Sequence, residues 1–512
     1  MNRVQGCVLS LVLVVTVVIL LAFSGGWRAL AQEEGWTAPT VVSAPPGYSW
    51  FPDLAVDAFG SVHTIWCLTI PVEGGLDLEE QVAYASLKGE SWSEPNDIVP
   101  PSADIVRNAL ATDRAGNVHL IFGGSVYGNN FVLYYKRASG SEAWSARTWS
   151  APHRINQGIS YMGDIAVDSQ GVIHVVYDDA VRHTGEGTPS LSDIFYRRSA
   201  DDGETWSPPI ALHPEPSIGA ARPYIEVDSN DTIHVSWDVG WDRLSGGVRS
   251  DVFYSVYVSS SDGGHSWSPP TVIDYPDAMV VQLTAGSDGQ GGVMLVWRSR
   301  LTDEIFYQWS TDGGQSWEAP SAIPGVFARP WTTPFDMYDM AADSAGHIHL
   351  LAVGRLSQAR DAMLGVYHLV WDGERWSLPT RLIAAADLYP EYPKIIVHEG
   401  NQLHAAWFTR EGSEFEDDSN REVWYSTSQS SAPYQPATPL PSPTPVPPTA
   451  MPTPVPTITP YPTVSFENTG LPDDLHTDSD DALRLAIALS PVALIVLAVV
   501  VAKMGWLGRV RR

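Results

Sequence analysis

Cysteine and basic residues are both scarce in this chain of 512 residues. There are two cysteines, and Cys7 lies in an apolar amino-terminal run, so Cys67 would be the only thiol once that run is removed. An intrachain disulfide is then excluded, and stability must come from packing. The 30 Lys and Arg residues stand against 59 Asp and Glu, a formal net charge of −29 at pH 7. Because phosphate backbones are bound by clustered positive charge, we exclude nucleic acid as a partner.

Motifs for metal ions and phosphate-bearing cofactors are also missing from the sequence. The histidines and cysteines form no closely spaced set of the kind that binds zinc, and there is no G-x-x-x-x-G-K-[ST] loop. We therefore expect no metal and no cofactor. Aromatic residues are plentiful, with 20 Trp and 20 Tyr in a composition that is 44% hydrophobic. This is enough apolar material for a large core.

A repeat of 55 to 60 residues runs through the centre of the chain. Each copy has two short apolar strands joined by a turn rich in Asp and Gly, which is typical of a β-hairpin. A third strand follows, and in six copies a fourth strand opens on tryptophan. One position in the second strand marks the repeat, and it is occupied by His63, His119, His174, His234, Met294, His349 and His404.

The seventh copy lacks a fourth strand, and a spare fourth strand stands near the start of the chain, in Gly35–Ser43. Four-stranded units repeated seven times, with the missing strand supplied by the amino terminus, predict a closed seven-bladed β-propeller over residues 35–430. Closure removes an exposed sheet edge. The predicted fold class is therefore all-β, and we expect each of the six histidines to make a buried hydrogen bond within its own blade.

The turn before the fourth strand carries a second motif. In the stretch SADDGETW, Ser199, Asp201, Gly203, Thr205 and Trp206 match the pattern S-x-D-x-G-x-T-W, the Asp box. In these residues the chain resembles the Asp-box (BNR) repeat propellers of the sialidase superfamily. In that family the Asp box is structural and lies on the face opposite the active site, so the motif indicates fold rather than function. Two further copies match it at Ser, Asp, Gly and Trp, namely Ser260, Asp262, Gly264 and Trp267, and Ser310, Asp312, Gly314 and Trp317.

Connection lengths distinguish the two faces of the predicted propeller. The turns inside the hairpins and at the Asp boxes are short, and in an up-and-down blade they share one face, called here the short-turn face. The links from second to third strand and from one blade to the next are long, and they share the opposite, long-loop face. Variable loops on a rigid scaffold are where binding sites are usually built. Trp241 and Trp331 lie in two long links and are either platforms for a sugar ring or caps of the core.

The register of the repeat predicts which side chains meet at the long-loop end of the central channel. Arginines, carboxylates and tyrosines from blades far apart in sequence converge there, although each could instead be the solvated end of a strand. Twelve positions before the repeat marker the blades carry Phe51, Arg107, Met162, Arg222, Gln282, Met337 and Tyr392. Two positions later, on the same face of each strand, they carry Asp53, Ala109, Asp164, Tyr224, Thr284, Asp339 and Lys394.

The resemblance to sialidases implies roles for some of these residues. In that family arginines bind the carboxylate of the sugar, an Asp is the general acid/base, and a Tyr paired with a Glu is the nucleophile. The positions that match are Arg107 and Arg222 with Arg329 as a third arginine, Asp53 or Asp164 as the acid, and Tyr392 with Glu391 as the nucleophile.

Two features depart from the sialidase pattern. The first blade has Trp50 where sialidases have an arginine, and their catalytic domain normally has six blades. We therefore predict a module that recognises an extracellular glycan or a surface protein through the long-loop face. The alternatives are an exo-sialidase or other glycoside hydrolase, and a non-catalytic structural or assembly propeller.

Both ends of the chain carry membrane signals. Residues 1–31 combine a basic start, an apolar run and a small-x-small site, which predicts a cleaved secretory signal, with an uncleaved anchor as the alternative. Residues 432–482 are rich in Pro and Thr and then acidic, and they predict an extended stalk. Residues 483–503 predict one transmembrane helix, and residues 504–512 a short basic cytoplasmic tail. We therefore expect a single-pass protein of the cell membrane whose propeller binds extracellular glycan or glycoprotein.

Overall fold

The computed structural model describes residues 35–439 apart from 45–46, 72–77, 103–104, 126–130, 182–190, 213–218, 243–246, 249–253, 276–278, 330–337, 360, 385–387 and 412–419. The predicted signal peptide, the transmembrane helix, the basic tail and most of the stalk lie outside these residues. Within the described part of the chain, no helix is long and apolar enough to cross a membrane.

Seven antiparallel sheets follow one another around a ring and form blades 1 to 7. The inner strand of each blade contacts the inner strands of both neighbouring blades, and blade 7 contacts blade 1 in the same way. The prediction of an all-β, seven-bladed propeller is confirmed. From the inner strand outward, blade 1 consists of Tyr48–Val56, Val62–Pro71 and Leu78–Lys88, and its third strand pairs with both Ser91–Trp92 and Asn96–Ser102. In the same order, blade 2 consists of Ile105–Thr112, Asn117–Gly124, Val132–Ser139 and His153–Arg154; blade 3 of Gly163–Val167, Ile173–Asp179, Asp193–Ser199 and Ile210–Ala211; and blade 4 of Ala220–Val227, Ile233–Val239, Tyr254–Ser260 and Thr271–Ile273. Blade 5 consists of Val280–Ser287, Val293–Ser299, Glu304–Ser310 and Ser321–Phe327; blade 6 of Tyr338–Ala342, Ile348–Gly354, Gly365–Trp371 and Thr380–Ala384; and blade 7 of Leu388–His398, Gln402–Glu411, Arg421–Gln429 and Thr40–Val41. Outside the blades lie a small ribbon of Trp241–Asp242 with Gly247–Val248 and a 3-10 helix at Ala146–Thr148.

The amino terminus closes the ring as the repeat count predicts. Thr40 and Val41 pair with Tyr425 and Trp424 on the third strand of blade 7. On either side of this pairing, the amide of Thr37 donates to the Thr427 carbonyl at 2.8 Å, and the amide of Val42 donates to the Val423 carbonyl at the same distance. The two ends of the propeller are therefore held in one sheet.

A buried hydrogen-bonded group recurs inside the blades and accounts for the repeated histidines. In blade 1, Nδ1 of His63 lies 2.6 Å from the hydroxyl of Tyr84, and Nε2 lies 3.2 Å from a carboxylate oxygen of Asp57 in the hairpin turn. Blades 2, 3 and 4 have the same Asp–His–Tyr group. Blade 6 has His368 in place of the tyrosine, and blade 7 keeps the histidine–tyrosine pair. The prediction that these histidines bond within their own blades is confirmed.

The Asp boxes lock the turns that lead into the fourth strands. In blade 3 the hydroxyl of Ser199 donates to the carboxylate of Asp201 at 2.8 Å and accepts from the amide of Gly203 at 2.9 Å. The boxes of blades 4 and 5 repeat this geometry with the same two distances. Each side chain thus replaces a backbone partner that the tight turn cannot provide.

An edge-on aromatic pair joins each blade to the one before it. The tryptophan that opens a fourth strand contacts a third-strand ring of the preceding blade, with ring centroids 4.9 to 6.4 Å apart. Edge-on contact is the favoured arrangement for aromatic rings. Blade 7 obtains its tryptophan from the amino-terminal strand. The pairs are Trp92–Tyr425, Trp149–Tyr84, Trp206–Tyr135, Trp267–Tyr196, Trp317–Tyr257, Trp376–Tyr307 and Trp36–His368.

Candidate functional site

An extra residue interrupts the inner strand near the channel mouth in blades 1, 2, 4, 5 and 7, where the pairing with the second strand slips by one. Such a bulge changes the direction of the side chains that it carries. Left-handed backbone in residues other than glycine is uncommon, and it persists at functional sites where the surroundings hold it. Four mouth residues adopt it: Phe51 (φ 50°), Arg222 (φ 60°), Gln282 (φ 63°) and Tyr392 (φ 54°).

Asp238, on the second strand of blade 4, holds two of these bulges in place. Its carboxylate lies 3.3 Å from Nε of Arg222 in its own blade. It also accepts the backbone amides of Gln282 at 2.8 Å and Leu283 at 3.3 Å in blade 5, and the hydroxyl of Ser255 at 2.7 Å. One buried carboxylate therefore fixes the positions of Arg222 and Gln282 relative to each other.

Glu391 precedes Tyr392 in the bulge of blade 7 and belongs to a buried ion-pair network. Its Oε1 accepts from Nε of Arg410 at 3.2 Å and from a guanidinium nitrogen of Arg329. The carbonyl of Arg329 accepts in turn from Arg298 at 2.7 Å. Glu391 and both of its arginine partners are almost fully buried, and none of the three lines the mouth cavity. The network anchors the inner strand of blade 7 through contacts outside the mouth cavity.

The mouth cavity has a volume of about 30 Å³ and brings together side chains from blades 2, 4, 5 and 7. The guanidinium carbon of Arg107 lies 5.1 Å from the ring centroid of Tyr392, and Nζ of Lys394 lies 5.4 Å from the same centroid. Arg222 and Gln282 complete this part of the lining. Burial lowers the pKa of Arg222 to about 10, although Asp238 opposes the shift. Three cationic groups thus share one small, buried space.

Two buried hydroxyl groups line the mouth cavity without a hydrogen-bond partner among the described residues. They belong to Thr284 on the inner strand of blade 5 and to Tyr338 on the inner strand of blade 6, and their residues are 4% and 5% exposed. A buried hydroxyl that lacks a partner costs free energy. A ligand with acceptor oxygens would satisfy both groups.

The two candidate acids lie deeper in the channel. Asp164 lines the mouth cavity and also the chamber below it, whereas Asp53 lines only the chamber. Together with Asp339 these carboxylates accept backbone amides of the following blade, so each acts as a clip between blades. The pairs are Asp53 with Leu110 at 2.7 Å, Asp164 with Ile225 at 3.0 Å and Asp339 with Ile395 at 2.8 Å.

Lys394 is the central cation of this deeper layer. Its Nζ lies 3.9 Å from the carboxylate of Asp53. Burial raises the pKa of Asp53 to about 7, although Lys394 opposes the shift. Burial alone would lower the pKa of Lys394, but Asp53 and the other nearby carboxylates hold it well above its usual value. Asp53 is therefore a carboxyl group that titrates near neutral pH inside the channel.

The structure gives less information about the two tryptophans predicted in the long links. Trp241 belongs to the small ribbon in the long link of blade 4, and Trp331 lies outside the described residues. Lys394 and Thr284 occupy positions that the sequence register places at the mouth, although no role was assigned to them. Their register position is the signal that predicts their place in the site. Tyr338 was missed because the register places its neighbour Met337 at the mouth.

Comparison with known proteins places the chain in a family. Residues 118–405, more than half of the chain, match the family model described as a BNR repeat-like domain. The chain belongs to the BNR repeat-like family. The resemblance to Asp-box propellers is thereby confirmed for this BNR repeat-like protein. A search of curated proteins finds no significant match to it.

Solved structures similar to this BNR repeat-like propeller share little sequence with it. A protein of unknown function from Dyadobacter fermentans is 15% identical, covers 78% of this chain and 100% of its own, and has a TM-score of 0.45. The NanB sialidase of Streptococcus pneumoniae is 14% identical, with 78% and 70% coverage and a TM-score of 0.43. A PL25 ulvan lyase bound to a GlcA–Rha3S saccharide is 12% identical, with 76% and 94% coverage and a TM-score of 0.47.

Proposed function

We propose that this propeller binds the acidic end of an extracellular glycan at its channel mouth. The observation that carries the proposal is the mouth cavity, in which Arg107, Arg222 and Lys394 converge on one space. Their positive charges meet in a protein whose net charge is −29. Buried, charge-assisted hydrogen bonds to a carboxylate are the strong ones. The hydroxyls of Thr284 and Tyr338, which have no hydrogen-bond partner in the described part of the chain, add two further donors.

The size of the cavity supports a small acidic group as its occupant. A cavity needs a volume of roughly 10–15 Å³ to hold one water molecule. The mouth cavity, with a volume of about 30 Å³, therefore admits the two oxygens of a carboxylate but no sugar ring. The ring would then lie above the cavity, on the long-loop face. The ligand class is therefore a sugar with a free carboxylate, such as a sialic or uronic acid at a chain end.

Two contacts favour binding over sialidase-type hydrolysis. Glu391, the partner that a tyrosine nucleophile needs in that mechanism, is engaged by Arg329 and Arg410. Asp53 and Asp164 are clips between blades. The second candidate is the hydrolase, which the placement of Asp53 in the channel favours, because burial raises the pKa of its carboxyl to about 7 and such a group suits a general acid.

Titration of the full-length protein with acidic monosaccharides tests the proposal. Sialic, glucuronic and galacturonic acid are compared with neutral glucose by calorimetry, beside the variants Arg222→Gln and Arg375→Gln. Arg222 lies in the mouth, and Arg375 is an exposed arginine on blade 6 that serves as the matched control. Loss of one charge-assisted contact should weaken binding at least about tenfold in Arg222→Gln and leave the control unchanged.

Failure of every acidic sugar to bind, or equal affinities in both variants, would contradict the proposal. Release of a fluorescent group from sialosides or uronides, abolished by Asp53→Asn, would instead support the hydrolase. Secretion and anchoring remain proposals based on residues 1–31 and 483–503, and protease accessibility of the propeller on intact cells tests them.

A further inference from the structure

The chain crosses the short-turn face after the last strand of blade 7. This segment, Ser430–Pro439, is called here the latch. Its first amide, on Ser430, donates to the carbonyl of Asn401 at 2.8 Å. Further along, the amide of Gln435 donates to the carbonyl of Glu399, also at 2.8 Å. The latch is therefore docked on the hairpin turn of blade 7 through its own backbone.

Contacts with other blades show how far the latch extends. The hydroxyl of Ser344, in the hairpin turn of blade 6, donates to the carbonyl of Pro433. At the other end, Nε of Arg114 in the hairpin turn of blade 2 donates to the carbonyl of Thr438 at 3.0 Å. The latch thus passes from blades 6 and 7 to blade 2, across the axis of the propeller.

Gly400 provides the room for this crossing. Its φ is +78°, a conformation that glycine adopts without strain. A side chain at this position would place its Cβ 3.0 Å from Cβ of Gln435 and 3.0 Å from the carbonyl oxygen of Pro433. The hairpin turn of blade 7 is therefore shaped to let the latch lie close to it.

Two cavities share the latch as a wall. The chamber, with a volume of about 510 Å³, is bordered by the hairpin turns of blades 4, 5 and 6, and a groove of about 520 Å³ is bordered by those of blades 1, 2 and 3. The hairpin turn of blade 7, on which the latch is docked, borders both spaces. Gln435 lines both. The latch therefore divides the lower opening of the channel in two.

At its upper end the chamber stops at the layer that carries Lys394. Asp164, Tyr224 and Lys394 line both the chamber and the mouth cavity and so separate the two spaces. The chamber walls also include Asp53, Glu226, Asp228 and Asp339. An acid-lined space thus lies between a fixed layer above and the latch below.

We propose that the latch is a gate that controls entry to the chamber from the short-turn face. Its release opens the acid-lined chamber to small cationic molecules without disturbing the mouth cavity above. The proposal goes beyond glycan binding, because the chamber and the mouth cavity lie at different levels of the channel and, of these two, the latch borders only the chamber.

The nature of the contacts makes the latch releasable. They are hydrogen bonds to residues of the hairpin turns, with two bonds each to Asn401 and Glu399, and the side chain of Tyr434 is 58% exposed. Segments with few buried apolar contacts open at low free-energy cost. The Pro- and Thr-rich segment continues beyond Thr438, so tension on its later part acts on the Arg114–Thr438 contact first.

Thiol labelling of the full-length chain tests the gate. Ala341→Cys places a thiol in the chamber, and Leu378→Cys places one at an 87% exposed site on blade 6 as the control. Each cysteine variant is combined with two substitutions that release the latch. Arg114→Ala removes the hydrogen bond to Thr438, and Gln435→Pro removes the amide that donates to Glu399. With a cationic methanethiosulfonate, the Ala341→Cys rate should rise at least about tenfold on latch release, while the control rate stays the same.

An unchanged Ala341→Cys rate, with an unchanged control, would overturn the proposal. The parent chain gives the background labelling of Cys7 and of Cys67, which is fully buried. Hydrogen exchange of the unaltered chain provides a second test that needs no variant. The Gln435 amide should exchange more slowly than a free amide but faster than the Val42 amide, which is bonded to Val423 next to the closing strand. Exchange of Gln435 at the rate of a free amide, or as slowly as Val42, would also refute a releasable latch.

Discussion

Replacing His368 by tyrosine should make the closed ring less sensitive to acid. His368 stands where the other blades have a tyrosine, and its Nδ1 accepts from Nε1 of Trp36 at 3.3 Å. Its Nε2 lies 2.9 Å from Nδ1 of His349, whose Nε2 lies 3.2 Å from the carboxylate of Asp343. Each neutral imidazole can therefore accept a hydrogen bond at Nδ1 and donate one from Nε2, so the contacts run from Trp36 through His368 and His349 to Asp343. A proton on Nδ1 of His368 would face the Trp36 N–H and break the contact that joins the amino-terminal strand to blade 6.

The pKa of His368 sets the size of the effect. Burial, together with the neighbouring His349, lowers this pKa from 6.5 to about 3. The folded protein therefore keeps His368 neutral while the unfolded chain binds a proton, so stability that is complete above pH 6.5 is lost as the pH falls from 6.5 towards 3. Each pH unit in this window costs about 1.4 kcal/mol, which gives about 2 kcal/mol at pH 5.

Thermal unfolding at pH 8 and pH 5 measures this difference. For a domain of this size, about 2 kcal/mol corresponds to a change in Tm of roughly 2–3 °C. The fall in Tm between the two pH values should be smaller by this amount in His368→Tyr than in the parent. His265→Gln, at an exposed histidine of blade 4, should behave like the parent. An identical fall in Tm for His368→Tyr and the parent would refute the reasoning.

Two further predictions concern the ring and the buried network. Deleting Trp36–Val42 should lower and broaden the calorimetric transition, because blade 7 loses its outer strand, and a sharp transition at the parent temperature would contradict the closure. Glu391→Gln should destabilise the fold by about 3 kcal/mol in chemical unfolding, because Arg329 and Arg410 lose their buried counter-ion, whereas Glu374→Gln on the surface should change nothing.

The sequence predicts the propeller well because its signals are local and repeated. The hairpin turn, the histidine and the tryptophan recur at a fixed spacing, so an ambiguous copy is identified by its neighbours. The one irregular element, Gly35–Ser43, is predicted from a count, since a ring of seven blades needs one more strand. Its pairing with Arg421–Gln429 follows from closure rather than from any preference of its own.

The site is less predictable because its geometry depends on contacts between distant residues. A bulge with left-handed backbone at Arg222 or Gln282 leaves no mark in the sequence, as neither residue favours that conformation. The partner of Glu391 in the sialidase interpretation is the adjacent Tyr392, but its ion-pair partners Arg329 and Arg410 come from other strands and links. The register of the repeat assigns a residue to a layer of the channel. Which other side chains that residue contacts depends on tertiary packing.

The net charge of the protein sets a limit on the ligand that the mouth can accept. Arg107 and Arg222 lie inside the mouth, and a charge in solution is screened beyond about 8 Å at physiological salt, so both arginines attract a carboxylate only once it is close. A long polyanion would instead feel the acidic surface over its whole length and be repelled. Binding to this mouth therefore favours a single terminal acidic sugar over a highly charged chain. Added salt should increase the association rate of such a sugar, because it screens the repulsion from the rest of the protein.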